Sequence, residues 1–267
     1  MIGRLKIVLV LLLVVQSTLV LAEFDHRSWD RLLKRNMVVL EQGKVTQVNY
    51  TAMMSDREQL RGYLDTLAAV PRAEFNSWDP DEQLAFLINA YNAWTVELIL
   101  SEYPDIDSIR DIGFLPGAAW RRDIVSLFGE QVSLDDVEHD MIRGWGIYNE
   151  PRIHFAVNCA AVGCPALRPE AFSGTRLEQQ LEESTRLFLS DSNRNYVEEN
   201  EAHVSRIFDW YEEDFERGWL GVNSVGEFLA RYEKALALSE AEAAGLRNGS
   251  MRIRYLRYDW SLNDIGS

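Results

Sequence analysis

Residues Leu84 to Leu100 read LAFLINAYNAWTVELIL, and the fold turns on this stretch. Asp79, Pro80 and Glu82 just before it make the strongest helix start in the chain: a capping residue, a proline in the first turn and an acid at the third position. Pro104 stops the helix. Apolar residues lie on nearly every face, so the helix is expected in the middle of a domain rather than on its surface. It nevertheless carries Asn89 and Asn92, three residues apart and so on one side. Asparagine is a poor helix-interior residue, and a buried amide without partners costs a few kcal/mol. Two readings follow. Either the pair lines a polar pocket, or it ties the helix to a neighbouring loop.

Outward from this helix, start signals recur. Ser28 precedes a helical pattern from Trp29 to about Leu40. Ser55 with Glu58 has the form of a capping box, followed by the apolar face Leu60, Leu64 and Leu67 and stopped by Pro71. Ser133 with Asp136 opens SLDDVEHDMIR, whose stripe is Leu134, Val137 and Met141. On that spacing His139 falls on the polar side, on the surface or facing a cleft, and Glu138 sits at the border, placed to orient a neighbour. Thr175 with Glu178, Ser224 with Glu227 and Ser239 with Glu242 open three more helices. Tyr196 to Ile207 is expected as a hairpin around Glu199-Asn200, with His203 exposed on its second arm. Phe208 to Phe215 is expected as a short aromatic helix. Arg252 to Asn263 reads as a strand followed by a loop, in which Asp259 and Asn263 are candidate polar members of a site or, for Asp259, a turn cap. The expectation is a mainly helical α+β single domain, with a central buried helix packed on a small, partly antiparallel sheet.

The N-terminus predicts export. Arg4 and Lys6 precede an unbroken apolar run from Ile7, and Val20 and Ala22 suit signal peptidase. The span is short for a membrane helix. Residues 1–22 are therefore expected to be a signal peptide, and 23–267 a globular domain in the periplasm or outside the cell. The formal net charge is −15. Such acidity argues against nucleic acid as a partner, and no membrane association is expected after cleavage.

The densest reactive chemistry lies in RIHFAVNCAAVGCP, Arg152 to Pro165. It holds His154, Asn158 and both cysteines of the chain, Cys159 and Cys164. Ile153 to Val157 is expected to be a strand of the small sheet, leading into a loop of small residues.

The order FLINAYNAWT, VSLDDVEHDMIR, RIHFAVNCAAVGCP, SRIFDWYEEDF, YDWSLN resembles the DUF547 family, over roughly Leu84 to Asn263. The family pattern includes a His-Phe-Ala stretch followed by two cysteines and a proline, matching His154, Cys159, Cys164 and Pro165; its Glu-His pair falls on Glu138 and His139. The resemblance implies a domain of unknown function and supports the location of a site, not its chemistry.

The residues leave three readings of the cysteine loop open. In the first, Cys159 or Cys164 is a nucleophile, with His139 or His154 as base and Asn89, Glu138 or Asp259 as orienting group. A cysteine before Pro165 would cap a short helix there, which favours the thiolate. Strand alternation would put His154 and Cys159 on opposite faces, so His139 is the expected base, with His154 and Asn158 sharing a face. Asn89 or a backbone N–H would steady an oxyanion. In the second reading Cys159 and Cys164 form a disulfide that clamps the loop, as suits an exported chain. In the third, His154, Cys159, Cys164 and His139 hold a metal, but the spacing is a weak signal; no metal and no cofactor is expected. The enzymatic expectation is a Cys/His hydrolase or acyl transferase. The competing one is a non-catalytic binding module in which the clamped loop and the Asn89/Asn92 face, with Asn158, Asp259 and Asn263 as further binding candidates, hold a small polar ligand, a peptide or a protein partner.

Overall fold

A computed structural model describes residues 23–266. The expected signal peptide, residues 1–22, lies outside the described residues.

The stretch LAFLINAYNAWTVELIL forms one helix, Pro80–Glu102, starting where the Asp79-Pro80 signal places it. Its residues from Leu84 to Ala93 are all buried. It packs mainly against the helix Arg57–Ala68, the wide helix Asp136–Gly144 and the turn Gly174–Arg176. Glu82, which would cap its own helix in the simplest reading, instead accepts the backbone N–H groups of Phe24 (2.6 Å) and Gly174 (3.0 Å). The apolar surface around the central helix forms one core cluster, which also takes in Trp29, Leu60, Leu64, Leu67, Val137 and Ile153. A second cluster gathers Phe155, Phe188, Phe208, Phe215 and Phe228. Ile153 and Phe155, two residues apart, therefore belong to different clusters, and the chain between them crosses the seam.

The strands are short and lie in three small sheets: Met37–Leu40 with Val45–Val48, Val125–Leu127 with Glu130–Val132, and Tyr196–Glu198, Glu201–Val204 and Arg252–Tyr255. The last sheet is antiparallel in its first pair and parallel in its second. This is a mainly helical α+β fold with one long buried helix. The hairpin turn falls at Glu199-Asn200, both with positive φ, as a two-residue turn between right-twisted strands requires. Ser224 caps its helix, and Ser239 with Glu242 makes a full capping box.

Four local expectations need correction. The first helix runs Arg27–Asn36, and Met37–Leu40 is a strand, because Met-Val-Val-Leu pairs its backbone with Val45–Val48. Ser55 ends a helix instead of capping one; the next begins at Arg57 after Asp56. The aromatic run 208–215 splits into Ile207–Trp210 and Glu212–Phe215. Most consequential, Ile153–Val157 is not a strand: Pro151–Phe155 is a tight 3₁₀ turn, with Pro151 in its first turn and the Glu150 carboxylate accepting the Arg152 N–H.

Candidate functional site

Arg152 anchors that turn. Its guanidinium is buried, donates to Glu150 and Glu178, and lies 4.7 Å from the Trp219 ring centre. The anchored turn presents successive side chains to different sides of the seam. Phe155 enters the second core cluster. His154 stacks on Tyr211, ring centres 3.8 Å apart, and its Nε2 lies 2.7 Å from Asp214 Oδ2.

Asp214 accepts from His154 and from Arg143 Nε at 2.5 Å, with Arg217 at 3.1 Å from its other oxygen. Burial alone would raise its pKa; the bonds from His154 and Arg143 outweigh that and hold the carboxyl well below the usual range. Burial pushes the His154 imidazole down, against the pull of Asp214. The pair is thus a neutral imidazole beside a carboxylate. Nε2 carries the proton that Asp214 accepts, and Nδ1 bears a lone pair. That Nδ1 is buried without a hydrogen-bond partner.

After the turn the chain enters the cysteine loop, which both asparagines of interest secure. Asn92 donates to Ala156 O (2.9 Å) and accepts from Asn158 N (2.8 Å). Asn158 donates to Pro165 O and accepts from Ala160 N, closing the loop on itself. Ala160 takes a left-handed φ of 60°, and Asn263 N donates to its carbonyl at 3.0 Å. The segment 259–263 runs alongside. Gly163 N donates to Asp259 O, an approach so close that a Cβ at Gly163 would sit 2.9 Å from that oxygen. Only glycine fits there.

Cys159 and Cys164 are joined as a disulfide, which bears out the second reading of the loop. The two sulfurs are not equivalent. Cys164 is 3% exposed, whereas Cys159 is half-buried. Cys164 Sγ receives the Cys159 N–H at 2.9 Å and the Tyr258 hydroxyl at 3.1 Å. Burial pushes the Tyr258 phenol up, so it stays a donor.

The half-buried sulfur, His154 and Glu138 line one cavity of about 100 Å³, walled by Trp120, Trp210, Tyr258 and Trp260. Glu138 reaches it because Asp136–Gly144 is a π-helix. Its wider turn buries Glu138 and Ile142 beside the expected stripe of Val137 and Met141, where a 3.6-residue period leaves Glu138 at the margin. Glu138 accepts the Tyr211 hydroxyl at 2.6 Å, and Tyr91 also hydrogen-bonds to it.

The expected site residues divide accordingly. Cys159, Cys164, His154 and Glu138 come together at the cavity. His139, the expected base, does not line it: its Nδ1 lies 2.7 Å from Arg143 Nη1, and it is partly exposed near Asp135. The strand argument against His154 fails because no strand is there. Asn89 clasps the Phe172 backbone, accepting its N–H and donating to its carbonyl, and is held away from the sulfurs. Asn92 and Asn158 act as loop clamps, Asn263 accepts from Tyr50, and Asp259 caps a turn by accepting Ser261 N–H. No helix follows Pro165 for Cys164 to cap. With the sulfurs bonded to each other, they are not a pair of thiolate ligands, and among the described residues no cluster of three His, Cys, Asp or Glu side chains is arranged to hold a metal ion.

Asp214, Tyr211, Tyr258 and the three tryptophans escaped the sequence reading. Except for Trp120, the signal was in FDWYEEDF and YDWSLN, where acids interleave with aromatics, but aromatic runs usually mean core. A larger hollow of about 440 Å³ lies elsewhere, lined by Met37, Val39, Leu187 and Phe188. Its charged side chains are ion-paired, Lys34 with Asp30 and Arg168 with Glu170 and Glu183, so it offers apolar surface without a reactive group.

A family model described as a protein of unknown function, DUF547, matches residues 75–189. The span includes Glu138, His154 and both cysteines, and stops short of Asp214 and Tyr258. No curated protein and no solved structure matches the chain.

Proposed function

We propose that this chain, a DUF547 protein through residues 75–189, is a thiol-dependent hydrolase or acyl transferase whose nucleophile is Cys159. One observation carries the reading. The accessible sulfur shares a small cavity with a histidine that is oriented by a buried carboxylate and has its other ring nitrogen free. A nucleophile, a base and a group that fixes the base's tautomer are the three parts that cysteine acyl transfer needs.

The disulfide is the resting form. An incoming small thiol, as thiolate, attacks Cys159 Sγ, the more accessible sulfur. The S–S bond breaks, and its electron pair goes to Cys164, where the Cys159 N–H and Tyr258 hydroxyl receive the thiolate. A second thiol attacks the mixed disulfide, freeing Cys159 and leaving as the oxidised reductant. Cys159 leaves this exchange as its thiolate; where it has picked up a proton from solvent, His154 Nδ1 takes that proton. The thiolate attacks an acyl carbon, and the leaving group departs with the proton from His154. Water or another acceptor cleaves the acyl-enzyme, giving its proton to His154.

The setting we propose is the periplasm or the cell exterior, where the apolar leader and the disulfide are both expected. The substrate is a small polar acyl compound or a peptide. Because the sulfurs are bonded to each other, a second reading keeps the bridge permanent and makes the cavity a binding site only.

The test is acyl trapping. Reduced protein is incubated with a p-nitrophenyl ester or a small thioester, and its peptides are mass-analysed. We expect one acyl group on the Cys159 peptide, absent in Cys159→Ser and much slowed in His154→Asn. No adduct from folded, reduced protein overturns the enzymatic reading.

A further inference from the structure

The cavity at the disulfide is lined by one carboxyl side chain, Glu138, that makes no ion pair among the described residues. Glu138 is 4% exposed. Its hydrogen-bond donors are the phenols of Tyr211 and Tyr91, and among the described residues no lysine, arginine or histidine is ion-paired with it. Arg143 hydrogen-bonds to Asp214 and reaches Glu138 only through space. A buried carboxylate is ordinarily compensated by a cation, because removing the charge from water costs several kcal/mol.

The rest of the lining suits a cation too. Trp120, Trp210, Tyr258 and Trp260 form one aromatic wall, with the Trp210 and Trp260 ring centres 5.6 Å apart and Tyr258 4.6 Å from Trp260. Aromatic faces carry negative charge density and attract ammonium groups, most strongly where water is excluded. The histidine in the lining presents an unpartnered, buried Nδ1, an acceptor. Neither lysine nor arginine lines the cavity.

We propose that this cavity binds the ammonium group of a small organic cation, with Glu138 as counter-charge and the tryptophan and tyrosine faces as its walls. About 100 Å³ admits a headgroup and not a drug-sized ligand, for which pockets of about 300–1,000 Å³ are usual. The remainder of the ligand lies outside, past Cys159. The inference names a ligand class for the site assigned above. It rests on the placement of the site at this cavity, and not on reaction at sulfur.

The experiment uses the disulfide-bonded protein, so thiol chemistry plays no part. Tetramethylammonium and methylammonium are titrated against it by tryptophan fluorescence and calorimetry, with tert-butanol as a neutral counterpart of similar shape. We expect saturable binding of at least one of the two cations and none of tert-butanol. Glu138→Gln, which keeps size and removes the charge, should weaken that binding about tenfold or more. Equal binding of tert-butanol, or no saturation by either cation in the wild type, overturns the proposal whether or not the variant folds. Acyl trapping at Cys159 is a separate measurement, so either result can fail while the other stands.

Discussion

His154 Nε2 and Asp214 Oδ2 lie 2.7 Å apart, joining two segments sixty positions apart in sequence across the seam between the two core clusters. This bond fixes which ring nitrogen carries the proton, and so which one is left to face other chemistry. Arg143 shares that oxygen of Asp214 with His154, and Arg217 pairs with the other one. The carboxylate is therefore both the orienting group of the imidazole and the counter-ion of two guanidinium groups.

Asp214→Asn should separate those two roles. The amide keeps the shape but removes the charge that stabilises an imidazolium, so alkylation of reduced Cys159 at neutral pH and acyl transfer from it should slow, the latter by about 10²–10⁴-fold. The variant should also lose stability, because Arg143 is left partly buried without its partner; breaking such a pair costs about 3–5 kcal/mol. Chemical denaturation and iodoacetamide kinetics read the two effects on one sample. Unchanged alkylation in a folded variant would sink the role assigned to Asp214.

The disulfide encloses a short loop, with a sequence separation of 5. Chain-entropy arithmetic gives such a ring about 2 kcal/mol of stabilisation, less than a long loop would gain. Mild reduction should thus lower the melting temperature by several degrees without unfolding the protein at room temperature. The loop stays clamped by Asn92, Asn158 and Asn263. Loss of cooperative unfolding on reduction would show instead that the bridge holds the fold.

The central helix was legible because both its signals are local: a proline at its start and apolar residues on nearly every face along its length. The hairpin at Glu199-Asn200 and the caps at Ser224 and Ser239 were legible for the same reason. What escaped depends on distant partners. Ile153 to Val157 has strand composition, but Arg152 finds Glu178 and Glu150, and Pro151 sets a tight turn. That turn reverses the argument from alternation and exchanges His139 for His154 as the histidine at the sulfurs. Glu138 was half legible: the 3.6-residue stripe puts it at the border, and the π-turn that carries it inward leaves no mark in that stripe. Asp214 had no signal of its own among four acids in seven residues.

Asn92 offers a prediction about positioning. Its amide both donates to Ala156 O and accepts from Asn158 N, the two peptides that lead into Cys159. Asn92→Ala leaves two buried backbone groups unpaired, at about 1–3 kcal/mol each. Asn92→Asp keeps the acceptor but brings a negative charge against Ala156 O. Both should destabilise the protein, and both should broaden the distribution of disulfide reduction rates measured by quenched alkylation. Asn89→Ala, which frees the Phe172 backbone instead, should cost similar stability while leaving the reduction rate of the bridge unchanged.

Acid should weaken the fold before its carboxylates are protonated. His26 is buried against Tyr63 and pushed down to about 3 by burial, and burial likewise lowers His154. Both are therefore neutral when folded, while in the unfolded chain they titrate near about 6.5. Between these values the unfolded chain binds more protons than the native one, so stability rises with pH. The contribution is complete above about pH 6.5 and falls away below it, by about 1.4 kcal/mol per pH unit for each histidine while it stays neutral inside. Asp214, held low by His154 and Arg143, adds a further loss only below the ordinary carboxylate range. Urea denaturation midpoints between pH 7.5 and 4.5 should fall steadily, and His26→Gln should flatten part of that slope. A midpoint that stays level across this interval would mean that both imidazoles take up protons in the folded state, which would also remove the free Nδ1 that the proposed base role of His154 requires.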